Sequence, residues 1–422
     1  MMKTCLFPLG LLLFLFQATW GMTATADAYF CQPCKPCRKK SVWDEIHYYG
    51  WVQAGVQVNN HGTKNGYDPA EPDGPCNRGL DAFSGNTYLY MTGQPTDLHV
   101  NQVWLGIGKA IKAETGCDWG FQADMVFGTD AKYGQSFGEQ AFDYGWGTGD
   151  YYWSIPQLFA EFGNKEVKIR VGKFASTMVH EVLPAPHSFF YTHAYCCYNT
   201  PLTLTGATAE FNIDDRWTLT GGWTSGAINT FENRFEDNGL LAAVVYRVSD
   251  GVSLSYSFYY GNVNGLNKQA DAGTRYNRFY DRGEEYVHAF IYRWKINHRW
   301  FYLIESILTH ADYKYRPGDY STRSYGLNQH LIYTINKRWR AGLRFEWSRA
   351  EGTLFDLPPL TGGEGGDLYA LTLGLNWDPN AWFNLRPELR FDWSAYDNGF
   401  KPFDNRRAAE QISIGFAATV KF

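Results

Sequence analysis

The densest run of titratable side chains is His180, Glu181, His187 and His193, four groups within a single short stretch. Hydrolysis would require a nucleophile and a base within reach, and a metal site would require ligands at a recognisable spacing. The run contains no serine elbow, no His-Glu-x-x-His and no pair of histidines one helical turn apart. No catalytic residue is therefore expected, and the four side chains read as part of a folded loop that narrows or shields an opening. Cys31, Cys34 and Cys37 follow the two-residue spacing of a metal knuckle or redox pair, without a fourth ligand nearby. Disulfides are the simpler use of these thiols in an oxidising compartment, with zinc the alternative should Cys117 complete the set. Neither a metal nor a cofactor is expected. The glycine-rich run from Thr361 to Gly366 lacks the Lys-Ser/Thr of a phosphate loop and reads as a flexible connection.

A second charged set is defined by its period. Lys168 and Arg170, then Arg340, Arg344 and Glu346, then Arg386, Glu388, Arg390 and Asp392 alternate with apolar neighbours such as Leu343, Phe345, Leu389 and Phe391. A period of two places the charged and apolar sets on opposite faces of a strand. Arginine on a lipid-facing wall costs roughly 2 to 4 kcal/mol at the bilayer midplane, so the charged face is expected to line a lumen. Four arginines on one wall predict a mild anion preference, partly offset by Glu346, Glu388 and Asp392. The competing reading is that these ions pair with one another and lock the wall.

The elements that would carry such faces are strands. Only 19% of the 422 residues are charged and 18% are aromatic, with 43 glycines, 16 tryptophans and 29 tyrosines. That balance suits pleated surfaces and interfacial belts better than helices. The formal net charge of −5 comes without a basic patch and argues against nucleic acid as a partner. Alternating segments start near residues 46, 98, 118, 153, 167, 202, 216, 239, 251, 285, 299, 324, 338, 368, 382 and 411. They predict sixteen antiparallel strands, with fourteen to eighteen compatible because alternation is blurred over 98–111 and 286–296.

Short connections, such as 163–166 and 297–298, take turns with long ones, such as 59–97 and 175–200. Trp119, Trp217, Trp300, Trp339 and Trp382 each follow a short turn, which places them at one height as an interfacial girdle. The last segment alternates through Ile412, Ile414, Phe416, Ala418 and Val420 to a terminal Phe422, which resembles the insertion signal of outer-membrane barrels. Lys3, the apolar run 6–16 and Ala24-Thr25-Ala26 read as a cleaved signal over 1–26, followed by a periplasmic cysteine-rich segment 27–42 and a transmembrane β-barrel 43–422.

Val171-Gly172-Lys173-Phe174, His180-Glu181-Val182, the run from Phe189 to Tyr195 and the run from Leu202 to Gly206 resemble the outer-membrane β-barrel porins of the OmpL-like type. Cys196-Cys197 falls outside that pattern. The resemblance implies a porin in the outer membrane of a two-membrane bacterial envelope. The function expected is passive diffusion of small hydrophilic solutes or ions, the alternative being a non-conducting structural or adhesive barrel. Membrane lipids, the outer-membrane assembly machinery and a homo-oligomeric arrangement are the partners this reading carries.

Overall fold

The computed structural model describes residues 42–62, 97–113, 116–136, 142–143, 145–227, 230–231, 238–262, 282–314, 319–351, 366–396, 399, 401–404 and 407–422. The leader, the cysteine run from Cys31 to Cys37 and the glycine-rich stretch before Gly366 lie outside the described residues. The chain divides into a unit Met1–Trp43, of which only Val42 and Trp43 are described, and a unit Asp44–Phe422.

The second unit contains sixteen long strands. They are β1 His47–Asn59, β2 His99–Lys109, β3 Asp118–Gly128, β4 Tyr151–Gly163, β5 Val167–Ala175, β6 Thr203–Asn212, β7 Trp217–Ala227 and β8 Gly239–Ser249. Then follow β9 Val252–Asn262, β10 Arg282–Lys295, β11 Trp300–Lys314, β12 Asp319–Thr334, β13 Trp339–Glu351, β14 Gly366–Trp377, β15 Phe383–Tyr396 and β16 Glu410–Lys421. Each pairs antiparallel with its neighbours in sequence, and β16 pairs with β1 from Trp51↔Lys421 to Asn59↔Ser413. The sheet thereby closes into a barrel and leaves no long edge, the only all-strand arrangement that satisfies a backbone in lipid. A two-residue strand, Gly147–Thr148, pairs with the start of β4.

Every expected strand start falls within five residues of an observed one. The blurred stretches have physical causes. Pairing of β1 with β2 shifts register between Gln53 and Ala54, so inward positions of β2 do not keep a strict period of two. On β10 the outward set includes Tyr286, His288 and Tyr292, which weakens the contrast between faces. On β16 the alternation is complete: Gln411, Ser413, Ala417 and Thr419 are buried while Ile412, Ile414, Phe416 and Val420 are exposed.

Four short turns share one device. The side chains of Asp214, Asn297, Asn336 and Asn380 each accept two backbone amides just ahead, including the amide of Trp217, Trp300, Trp339 or Trp382. The turn thus fixes where the next strand starts and delivers its tryptophan there. Trp119, Trp217, Trp300, Trp339 and Trp382 are 37% to 56% exposed. Three of them pack on aromatic rings of adjacent strands, Trp217 on Tyr246, Trp300 on Tyr333 and Trp339 on Trp377.

At the seam, the amide of Phe422 donates to Gly50 and the carbonyl of Phe422 accepts from Gly50, both at 2.9 Å. Deleting Phe422 removes both bonds, and the fraction of chain reaching the folded, heat-modifiable form on gels is expected to fall. A deletion that folds with parental yield would show that the seam closes without this residue.

Candidate functional site

The connection between β5 and β6, residues 176–202, does not stay on the surface. Met178, Val179, Leu183, Phe190, Tyr191, Ala194 and Tyr195 are all at most 5% exposed, so this loop has the composition of a core and needs one to bury it. It finds three. Met178, Val179, Ala194 and Cys196 join Phe174, Leu204, Leu241, Tyr259, Val287 and Ile307. Leu183 packs with Trp51, Trp104 and Val126, and Tyr195 packs with Leu368 and Phe403. The loop therefore crosses the barrel interior and meets both sides of the wall.

A segment whose regular structure is limited to two short 3-10 turns, Ala185–His187 and Tyr195–Asn199, leaves backbone donors and acceptors open, and inside a barrel the wall must satisfy them. Three inward carboxylates do so for the donors. Glu305 on β11 accepts the amide of His180, Glu346 on β13 accepts that of Tyr195, and Glu388 on β15 accepts those of Tyr191 and Thr192. The carbonyls are met by arginines and amides: Arg386 donates to Ala185, Ser188 and Phe190, Arg344 to Thr192, and Asn376 to Phe189. Gln102 on β2 donates to Leu183 and accepts from the amide of Ala185. At Gly342 the loop leaves no room for a side chain, because a Cβ there would run into the Phe189 ring.

The charges are held in a chain. Arg344 reaches Glu181 at 2.7 Å and Glu346 at 2.8 Å, and Arg390 reaches the same oxygen of Glu346 at 2.7 Å and Asp392 at 2.7 Å. Both arginines are fully buried, each with a ring of the loop over its guanidinium, Phe190 for Arg344 and Tyr195 for Arg390. Burial would raise the carboxyl of Glu181, but Arg344, His330, His193 and the amide of Ala194 outweigh it and hold it at about 2. Burial, together with the charge of Arg293, pushes His180 down to about 4, and burial lowers His193 as well. The buried part of the loop thus meets the wall as a carboxylate beside imidazoles that burial biases toward the neutral form.

The structure brings together His180, Glu181 and His193 with Arg344, Glu346, Arg386, Glu388, Arg390 and Asp392. His187 is exposed and stands apart from that chain of charges. The remaining charged residues singled out by period two face inward on other parts of the wall: Lys168 pairs with Glu210 at 2.7 Å, Arg170 with Glu161 at 2.6 Å, and Arg340 with Asp378 at 3.0 Å. Cys196 and Cys197 are buried free thiols within the loop, and Cys117 is an exposed one. Glu305, Asn376 and Gln102 were not foreseen as site residues. Glu305 carries a readable signal, as the one charge among the inward residues Leu303, Ile307, Thr309 and Ala311 of β11. Among the described residues no three His, Cys, Asp or Glu side chains are grouped to hold a metal.

A closed barrel of sixteen antiparallel strands, apolar outside and polar within, whose longest described loop folds into its own bore, defines an outer-membrane barrel of the porin class. The chain belongs to the family described as "Putative beta-barrel porin-2, OmpL-like", whose model matches residues 45–422. The protein is accordingly placed in the bacterial outer membrane. Its fold is similar to that of an anion-selective porin from Comamonas acidovorans, with a TM-score of 0.54 and 11% identity over 89% of this chain and 99% of that one. It is also similar to the outer membrane channel DcaP of Acinetobacter baumannii, with a TM-score of 0.54 and 10% identity over 89% and 97% of the two chains. OmpT of Vibrio cholerae in its trimer form matches at a TM-score of 0.53 and 11% identity, over 89% and 99%. At these identities the likeness concerns the fold. No curated protein matches the chain in sequence. The stretches that carried the resemblance to OmpL-like porins are the end of β5, the inserted loop and the start of β6.

Arg344→Ala would strand the buried carboxylate of Glu181, a loss of about 3 to 5 kcal/mol when one partner of a buried pair is removed. Hydrogen exchange at the amides of Tyr191, Thr192 and Tyr195 should accelerate in the folded barrel; unchanged protection would mean the loop is held without Arg344. The pH dependence has a definite sign. The folded value of about 2 for Glu181 lies below its ordinary 4.5, so its stabilisation is complete above pH 4.5 and is lost as pH falls through about 2. Amide protection in the loop is expected to persist at pH 5 and to drop between pH 4 and 2.

Proposed function

We propose that the protein is a passive pore for small hydrophilic solutes or ions, with the β5–β6 loop as its constriction. The observation that carries this reading is the unequal filling of the interior. Along β13 to β15 the loop descends to Arg340 and Asn376, close to the short-turn end. Across the barrel at that end, the inward side chains Lys168, Arg170, Glu210, Arg247, Ser253 and Arg293 remain at least partly exposed. A polar, solvent-accessible wall facing a folded loop is what a narrowed aqueous path requires, and sixteen strands enclose enough width to leave one. Membership of a porin family supports the same reading. No catalytic step is part of it.

In this reading the exposed tryptophans after the short turns form the girdle at one membrane interface, and Phe422 is read by the assembly machinery during insertion. Homo-oligomers belong to the same picture. A second reading, a structural barrel closed at rest, is favoured by the apolar cluster that joins Met178, Val179 and Cys196 of the loop to Leu241, Tyr259 and Val287 on the wall. Conductance of the refolded full chain in a planar bilayer separates the two. Discrete steps are expected from the parent, and larger ones after residues 180–195 are replaced by a short glycine-serine linker. Steps only from the loop replacement would establish the closed barrel, and none from either would remove the pore.

A further inference from the structure

We infer that the short-turn half of the barrel holds a binding site for a small oxyanion, formed by Arg247 on β8, Ser253 on β9 and Arg293 on β10. The three residues lie in one row of the sheet, because Ser253 is the pairing partner of Arg247 on one side and of Arg293 on the other. All three point inward, and with Lys295 they line one cavity. Adjacent strands are about 4.8 Å apart, so the arginines stand about 10 Å apart at the backbone with a hydroxyl between them.

The same molecule shows what such a row holds. Arg344, Thr372 and Arg390 form an equivalent row on β13, β14 and β15, Thr372 pairing with Arg344 on one side and Arg390 on the other. There both arginines form an ion pair with a single carboxylate oxygen of Glu346, and both donate to the hydroxyl of Thr192. An arginine, a hydroxyl residue and an arginine in register can therefore share one oxyanion. On β13 to β15 the protein supplies it.

On β8 to β10 the protein does not. Among the described residues Arg293 has no hydrogen bond or ion pair, and Arg247 donates only to the carbonyl of Asp215 at 3.5 Å and the hydroxyl of Thr218 at 3.3 Å. Every other described arginine that faces inward from a strand has its counterpart: Arg170 has Glu161, Arg340 has Asp378, Arg344 and Arg390 have Glu346, and Arg386 has the loop carbonyls. Glu305, whose charge acts on Arg293, makes no ion pair with it and is engaged by the amide of His180, by Asn328 and by Cys196. Asp215 and Asp250 line the same cavity but sit exposed in turns at its rim. Two guanidinium forks without an ion-pair partner among the described residues, open to solvent, suit a sulfate, a phosphate or a carboxylate, each of which offers oxygens to both forks.

The inference adds a ligand class to the pore reading, and its test works whether or not the barrel conducts. Inorganic sulfate is titrated calorimetrically into the refolded full chain in detergent at constant ionic strength, with phosphate as a second probe. The parent is expected to bind one equivalent saturably. Arg247→Gln with Arg293→Gln should raise Kd at least about tenfold, the scale expected from losing two charge-assisted contacts. The control Arg349→Gln, which removes a guanidinium paired with Asp367, should leave Kd in place. No saturable binding by the parent, equal binding by the double variant, or an equal loss in the control would each overturn the site. Heat-modifiable mobility checks folding, and Arg247→Lys with Arg293→Lys, which keeps the charge but loses the forks, should weaken binding in between. The same proteins in a planar bilayer test the pore reading separately: absence of conductance removes that reading, while the titration still decides the site.

Discussion

The interior of this barrel depends on one constraint, that irregular backbone placed inside it must find its hydrogen bonds on the wall. A surface loop can leave amides to water. Residues 180–195 cannot, because most of their side chains are buried and the surrounding strands have already used their own backbone groups in the sheet. The answer is side chains of the wall used as backbone partners: Glu305, Glu346 and Glu388 for amides, Arg344, Arg386 and Asn376 for carbonyls. Those six sit on β11, β13, β14 and β15, so that side of the barrel supplies most of the loop's backbone partners, while Gln102 on β2 holds Leu183 and Ala185 from elsewhere on the wall.

Burying so many charges is costly unless each is paired and its remaining valences are filled. The arrangement approaches that condition by sharing, with the Nε of Arg344 and of Arg386 left without a hydrogen bond. One oxygen of Glu346 serves two arginines while the other accepts the amide of Tyr195, and the hydroxyl of Tyr195 in turn reaches Asp392. A chain of this kind stabilises little over an apolar filling of the same shape. What it adds is position, since a fork and a carboxylate accept a partner in few orientations. The loop is therefore better described as placed than as merely packed.

How much of this was legible in the sequence follows from which signals are local. Strand number and order were legible because alternation and turn residues act within a few positions, as in the Asn297 and Asn336 turns that deliver Trp300 and Trp339. The inward direction of Arg340, Arg344, Arg386 and Arg390 was legible for the same reason. What these arginines do there was not. Arg344 and Glu181 are 163 positions apart, and no period within β13 shows that a loop between β5 and β6 will supply the counterion. Hence a reading of four open cations on a pore wall and a reading of paired structural ions stood side by side. Arg344 and Arg390 have the environment of the second, and Arg340 is paired at the edge of the loop.

That outcome shifts where a field inside the bore can come from. Charges on Arg344 and Arg390 are balanced within a few ångströms by Glu181, Glu346 and Asp392, so their field dies out close to the wall. Lys168 and Arg170 are likewise answered by Glu210 and Glu161 on neighbouring strands. A field that reaches further requires charge that is not closed off in an ion pair, and among the described inward residues that description fits Arg247 and Arg293, at the end of the barrel the loop leaves unfilled. The loop and the uncompensated arginines are thus two sides of one division of the interior. Where irregular backbone enters, the wall's charges are consumed in holding it; where it does not, Lys168 and Arg170 pair across strands and Arg247 and Arg293 stay open to solvent.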